Sequence, residues 1–310
     1  MQAATRWQAA VDAAALDGDE RAIARSVLYA ALFEYPLTLA QLRQTLIEST
    51  HTATEILAIY NQSAGLQAAI EWRDGFFFPR GKDGWIAERR RREAASRAFL
   101  ERHRTLLRLI AAMPYVRLVA LSGSIAHLNL DGDGDLDLFI VARGEHVWSV
   151  TVAAIVLAKL LGRRRTLCAN FVLSDAALTL GPQDLFTASQ IIHLKPIVGE
   201  ELFRQLLSVN PFVARFYPNF HASPASMPGL GAIATLAPVK RVVEWLGAGP
   251  AAVAEAVCRR LYRAYLTRRA ASWQSPQQVR LERNCLKLHT QSHRDTVLTR
   301  FDRAVHDVLD

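Results

Sequence analysis

The residues best suited to chemistry lie in one stretch, 116–141, which reads VRLVALSGSIAHLNLDGDGDLDLFIV. Its second half carries Asp135-Leu136-Asp137-Leu138 in an apolar run. Side chains alternate along a strand, so Asp135 and Asp137 share one face and Leu136 and Leu138 take the other. Two carboxylates held side by side repel each other. At about 5 Å and an effective dielectric near 20 the cost is roughly 3 kcal/mol. A divalent cation turns that cost into attraction. Such oxygen ligands suit Mg2+, which takes one or two protein carboxylates and leaves its other positions to water and phosphates. Upstream, Gly123 lets the backbone approach a ligand closely. Ser124 offers a hydroxyl at a helix start, where free N–H groups favour an anion. A phosphate cradle and a carboxylate clamp on neighbouring strands together point to nucleotidyl transfer with two metal ions.

Two strands must position these groups, and the apolar runs 116–121 and 136–141 read as buried strands. The pattern Ser122-Gly123-Ser124, ten residues, then Asp135-Leu136-Asp137-Leu138 resembles the signature of the DNA polymerase β-like nucleotidyltransferase superfamily. That resemblance implies an α+β fold: a small mixed sheet with helices, with Gly123 and Ser124 on the nucleotide phosphates and Asp135 and Asp137 on the metal. A rival reading fails. Counted as an EF-hand from Asp131, the sixth and twelfth positions hold Leu136 and Ala142, where Gly and Glu are needed.

A helix over 145–161, stopped by Gly162, leads to a third strand, Leu167-Cys-Ala-Asn-Phe-Val-Leu173. The superfamily usually carries a third acid on this strand, and here there is none. Asn170 is the inward candidate; its carbonyl oxygen can ligate, but it accepts no proton at neutral pH. Asp175, two residues past the strand, is a weaker stand-in, and Cys168 reads as packing. His127-Leu128 stands where toxin–antitoxin-type nucleotidyltransferases have Arg-Gly. His127 has two readings, a phosphate contact or a packing histidine.

The preceding segment places three helices, 19–35, one capped by Thr38/Gln41 and one capped by Thr52/Glu55, before an Asp74-Gly75 hairpin. This is the pattern of a winged helix. From 52 to 66 it has no Arg or Lys, so phosphate contacts are missing and nucleic acid is the less favoured partner. Arg89–Arg92, Arg97, Arg102, Arg104 and Arg108 lie along a long helix and read as a solvated face; the alternative is that some project over the cleft. From 178 onward the pattern is largely helical, with a Gly/Pro-rich connection at 224–231. His289 and His293 show no ligand spacing. The expected division is 1–95 winged-helix-like module, 96–180 nucleotidyltransferase core and 181–310 helical domain. The same order is similar to prokaryotic nucleotidyltransferase-domain proteins with a Tyr-Pro-Leu-Thr segment (Tyr35 to Thr38) before the core and Cys-x-Asn (Cys168, Asn170) on the third strand.

Composition sets outer bounds. The formal charge is +8, with 32 Arg against five Lys, which fits a nucleotide or nucleic-acid partner. Three scattered cysteines exclude a disulfide framework or a zinc cluster. No signal-peptide h-region and no membrane-length apolar run are found, so a cytoplasmic setting is expected. The functional expectation is a Mg2+-dependent enzyme that takes an NTP as donor and a small molecule, protein or RNA hydroxyl as acceptor. Its catalytic residues are Asp135, Asp137 and Asn170. The alternative is a nucleotide- or nucleic-acid-binding regulatory protein on the same fold.

Overall fold

The computed structural model describes residues 16–132, 134–222, 237–289 and 293–309. The expected connection at 224–231 and the loop residue Asp133 lie outside the described residues. The first part runs α1 (Gly18–Ala31), β1 (Leu37–Thr38), α2 (Leu39–Gln44), α3 (Ala53–Gln62), α4 (Ala64–Ala69), β2 (Ile70–Arg73) and β3 (Phe76–Pro79). Both expected capping boxes form, Thr38 with Gln41 and Thr52 with Glu55. The Asp74-Gly75 turn has φ of 51° and 83°, the left-handed pair that a tight hairpin needs. β1 pairs with β3 and gives a three-stranded antiparallel sheet of order β1-β3-β2. α1 ends at Ala31, earlier than Pro36 required, and Glu34 turns the chain with φ 50°.

The long helix α5 (Gly84–Ala112) leads into β4 (Val116–Leu121), α6 (Gly123–Ala126), β5 (Leu136–Ala142), α7 (Val147–Leu160), β6 (Leu167–Ser174), α8 (Leu185–Ile192) and β7 (Lys195–Val198). Then come α9 (Glu200–Ser208), α10 (Phe212–Phe216), α11 (Ala237–Leu246), α12 (Ala248–Arg268), β8 (Val279–Leu281), β9 (Cys285–Leu288) and α13 (Arg294–Leu309). Six strands form one mixed sheet of order β7-β4-β5-β6-β9-β8, in which only the β5–β6 pair is parallel. Apolar residues of α5, α7 and α12 cover one face, and those of α8, α9, α10 and α13 cover the other.

This corrects two expectations. The segment 181–310 is not a helical domain beside the sheet, because it supplies β7 on one edge and β9 and β8 on the other. Nor does the chain divide at 95, which falls inside α5. The last helix also returns to the first module: Val305, Val308 and Leu309 pack into the cluster of Ile23, Val27 and Leu28. Among the described residues no helix is long and apolar enough to cross a membrane.

Candidate active site

The register of β4 and β5 brings the two halves of the motif together. Leu121 pairs with Leu138, and one residue on, Ser122 N–H donates to the Asp137 carbonyl oxygen at 3.0 Å. Gly123 follows with φ 63°. A Cβ added here would lie 2.4 Å from Asp137 Oδ2. The close approach that demands glycine is therefore made by the Asp137 carboxylate itself. Ser124 is exposed and lines the neighbouring cavity, whereas Ser122 lines the cavity of the carboxylates. Sequence reasoning passed over Ser122.

Residues of β6 complete this wall. Asp137 pairs with Cys168, and the register then slips by one residue before Phe139 meets Phe171. Such a bulge re-aims side chains, and Cys168, Asn170 and Phe171 all line the same cavity. Asn170 Nδ2 donates to Asp137 Oδ1 at a long 3.4 Å, and the Cys168 thiol donates to Asp135 Oδ2 at 3.8 Å. Cys168, read as packing in the sequence, thus also lines the cavity beside the carboxylates. Its parity with Asn170 was the readable signal. Burial, then the charges of Asp137 and Asp135, push its thiol up to about 11, so it stays protonated and serves as a donor.

The electrostatics are those of an uncompensated acid pair. Asp135 is exposed and Asp137 half-buried. Among the described residues neither has a cationic partner. Burial, and then the Asp135 charge, raise Asp137 to about 6. A cation would relieve both causes. Among the described residues no three His, Cys, Asp or Glu side chains are placed to hold a metal ion together, so a metal on this pair would draw its other ligands from Asn170, water or substrate.

The carboxylates open onto a cavity of about 580 Å³. β9 supplies another part of its wall with Lys287, and His289, just past its end, and His293 line it as well. Lys287 pairs across the ladder with Phe171 and lies 5.4 Å from that ring. Burial, and then Arg280, lower its pKa, and no salt bridge holds it among the described residues. Burial and then Lys287 depress His289 to about 4, so its ring is neutral near pH 7. In the sequence Lys287 drew no notice and His289 and His293 showed no ligand spacing, because β9 is four residues long and reaches β6 only through the sheet.

Other candidates fall away. Asp175 sits at the far end of β6, where its Oδ1 accepts from Gly144 N–H at 2.8 Å. Several α5 arginines are engaged elsewhere: Arg91 and Arg92 with Glu88, Arg97 with Glu93, Arg104 with Glu101. Arg89 stacks on Tyr35 and donates to Gln41 Oε1. None of the arginines on α5 lines the carboxylate cavity. His127 packs against Tyr35 and His193 beside the neighbouring cavity. No protein-family model, curated protein or solved structure matches the chain.

Proposed function

We propose that this protein is a Mg2+-dependent nucleotidyltransferase, which moves a nucleoside monophosphate from an NTP to a hydroxyl of an acceptor. One observation carries the reading: Asp135 and Asp137 form an uncompensated pair, packed over Gly123, in a cavity that also holds Lys287. Acids and an unpaired ammonium lining one cavity suit a metal-bound polyphosphate better than either charge alone. The order β4–α6–β5–α7–β6, with β4 and β5 antiparallel and β5 and β6 parallel, supports a polymerase β-like core. The chain order α1 to β3 with its β1-β3-β2 sheet supports a winged-helix-like module. With no Arg or Lys over 52–66, that module is better suited to packing or partner binding than to nucleic acid.

Asp135 and Asp137 would hold the metal, with Asn170 as a neutral neighbour. Bound there, Mg2+ supplies charge neutralisation and in-line orientation of the phosphates. Gly123 leaves Asp137 room to face the cavity. Asn170 steadies Asp137 through its amide N–H and takes no proton. Lys287 offers its ammonium to phosphate oxygens. With no acid on β6 to act as base, the reaction suits an acceptor that brings its own base. The absent acid also favours a second reading, a nucleotide-binding regulatory protein on the same fold.

The test is a thermal-shift panel of ATP, GTP, CTP and UTP, with and without Mg2+, on wild type and Asp137→Ala. A Mg2+-dependent rise with one nucleotide, lost in the variant, supports the enzyme and names its donor. Equal melting of both proteins with every Mg-NTP would overturn the metal–nucleotide site. Nucleotide binding that survives Asp137→Ala selects the regulatory reading.

A further inference from the structure

The sheet carries a second like-charged pair besides Asp135 and Asp137, and it is basic. On the β8–β9 ladder Arg280 and Lys287 are direct cross-strand partners. Residues directly opposite share a face, and like charges placed so are destabilising. Lys287 also pairs with Phe171 of β6, whose ring lines the carboxylate cavity. Only β6 separates β9 from β5, a distance of about 10 Å at ordinary strand spacing. The two pairs do not relieve each other. Asp137 is shifted by burial and by Asp135, and neither acid contributes to the shift of Lys287.

A smaller cavity, of about 210 Å³, is lined by both cations. It shares Phe171, Leu180, Gly181 and Lys287 with the carboxylate cavity, so the two adjoin along that wall. Lys287 is held here at a cost: burial, and then the Arg280 charge, lower its pKa. Counter-charge is short. Asp184, the acid nearest in effect, is already engaged by Arg294. Glu282 is the one acid in the lining of the smaller cavity, and among the described residues no salt bridge joins it to Arg280 or Lys287. An anion entering this cavity offsets both the burial of Lys287 and its repulsion from Arg280. An ammonium beside a guanidinium suits phosphate, to which Arg offers two parallel N–H donors.

We propose that Arg280 and Lys287 form an anion subsite, which takes one phosphate-class group of a substrate held at the acid pair. The inference rests on the nucleotidyl-transfer reading and deepens it, because it gives that substrate a second anchor two strands from the acids. β4, with Gly123 at its end, flanks β5 on one side, and β6, β9 and β8 lie on the other. The group therefore sits across the acids from Gly123. It comes either from the terminal phosphate of the NTP or from a phosphate carried by the acceptor. Arg280 is exposed, so its replacement leaves the core intact.

The experiment is calorimetric titration of inorganic phosphate, without metal and at low salt, into wild type, Arg280→Ala, Arg280→Lys, Lys287→Ala and Asp137→Ala. Phosphate should bind wild type and Asp137→Ala alike, and about tenfold weaker to Arg280→Ala and to Lys287→Ala, with Arg280→Lys between. Without phosphate, Arg280→Ala should melt no lower than wild type, since it removes a like-charge contact. The source is read with the Mg-NTP. Competition with phosphate, and weaker Mg-NTP binding to Arg280→Ala, assign the group to the donor. Phosphate binding beside the Mg-NTP, with unchanged Mg-NTP affinity in Arg280→Ala, assigns it to the acceptor. No phosphate binding at millimolar concentration, or binding unchanged in both Arg280→Ala and Lys287→Ala, overturns the inference. In that event Mg-NTP binding lost in Asp137→Ala leaves the transferase reading standing. Phosphate binding that depends on Arg280, without any Mg-NTP effect, does the reverse.

Discussion

The β4–β5 pair carries an acid at each end, and the two are treated oppositely. At one end Glu244, from α11, has a side chain only 1% exposed. It is met by Arg117 in β4, by Arg143 just past β5, and by the Tyr115 N–H at 2.7 Å. Burial pushes its pKa up, but these donors outweigh burial and hold it down at about 2. At the other end Asp137 is half-buried beside Asp135, with no cation, and rises to about 6. A structural acid comes with its own counter-charges; a site acid is left short of them. The contrast separates a group that stabilises the fold from one that the fold holds ready at a cost.

The largest effect that tests this comparison is removal of the compensated acid. Glu244→Ala takes the shared acceptor from Tyr115 N–H and from two partly exposed arginines, and should cost about 3 kcal/mol. Melting should fall by on the order of 10 °C. Its contribution in the wild type is fully present above pH 4.5 and is lost as pH falls from 4.5 toward 2, because its folded pKa is depressed. A melting temperature within a degree of wild type at pH 7 would break the comparison at this end.

Next comes the cation itself. If the aspartates lack only a metal, Mg2+ and the right NTP together should raise stability by about 2.7 kcal/mol at a hundredfold excess over the dissociation constant. Asp135→Ala and Asp137→Ala should each abolish the rise. Equal stabilisation of Glu244 and Asp137 variants by Mg-NTP would mean that binding does not run through the uncompensated pair.

The two ends were not equally legible in the sequence. Asp135 and Asp137 stood out because acids at alternate positions in an apolar strand have few explanations. The capping boxes and the Asp-Gly hairpin were readable for the same reason: each is a local device. Glu244 was not, because its partners lie more than a hundred residues away and only the fold unites them. The strands β7, β8 and β9 were missed likewise. Each is three or four residues long and exists because an edge of the sheet offers unpaired backbone groups. Lys287 rides on β9 and His289 follows it, so the opposing wall of the cavity was hidden with that strand. Asp175 was misjudged by one turn of logic: it follows the right strand but leaves it at the wrong end.

A smaller effect distinguishes cost from benefit at Asp137. Asp137→Asn keeps the shape and removes the charge. Because the folded pKa is raised, the wild type loses stability as pH rises from 3.8 toward 6, while the unfolded chain ionises first. The variant should equal wild type near pH 3.5 and be more stable by about 2 kcal/mol above pH 6.5 without metal. Urea unfolding at the two pH values measures this. A variant less stable than wild type at pH 7 would show that Asp137 has a compensating partner after all.

The finest probe is Gly123→Ala, since this position joins the backbone turn to the carboxylate. The φ of 63° costs a non-glycine residue about 1 kcal/mol. The collision with Asp137 Oδ2 at 2.4 Å adds little to stability, because a carboxylate tip can rotate away. Rotation, however, takes the ligand off its mark. Gly123→Ala should therefore lower stability by only about 1 kcal/mol while weakening Mg-NTP binding tenfold or more. In an Asp137→Ala background the collision is gone, and the same substitution should cost only the backbone strain. A double-mutant cycle on Mg-NTP affinity should thus be strongly non-additive, and one on urea stability nearly additive. Additivity in both would mean that Gly123 serves the turn alone and that the carboxylate's contact with it has no part in binding.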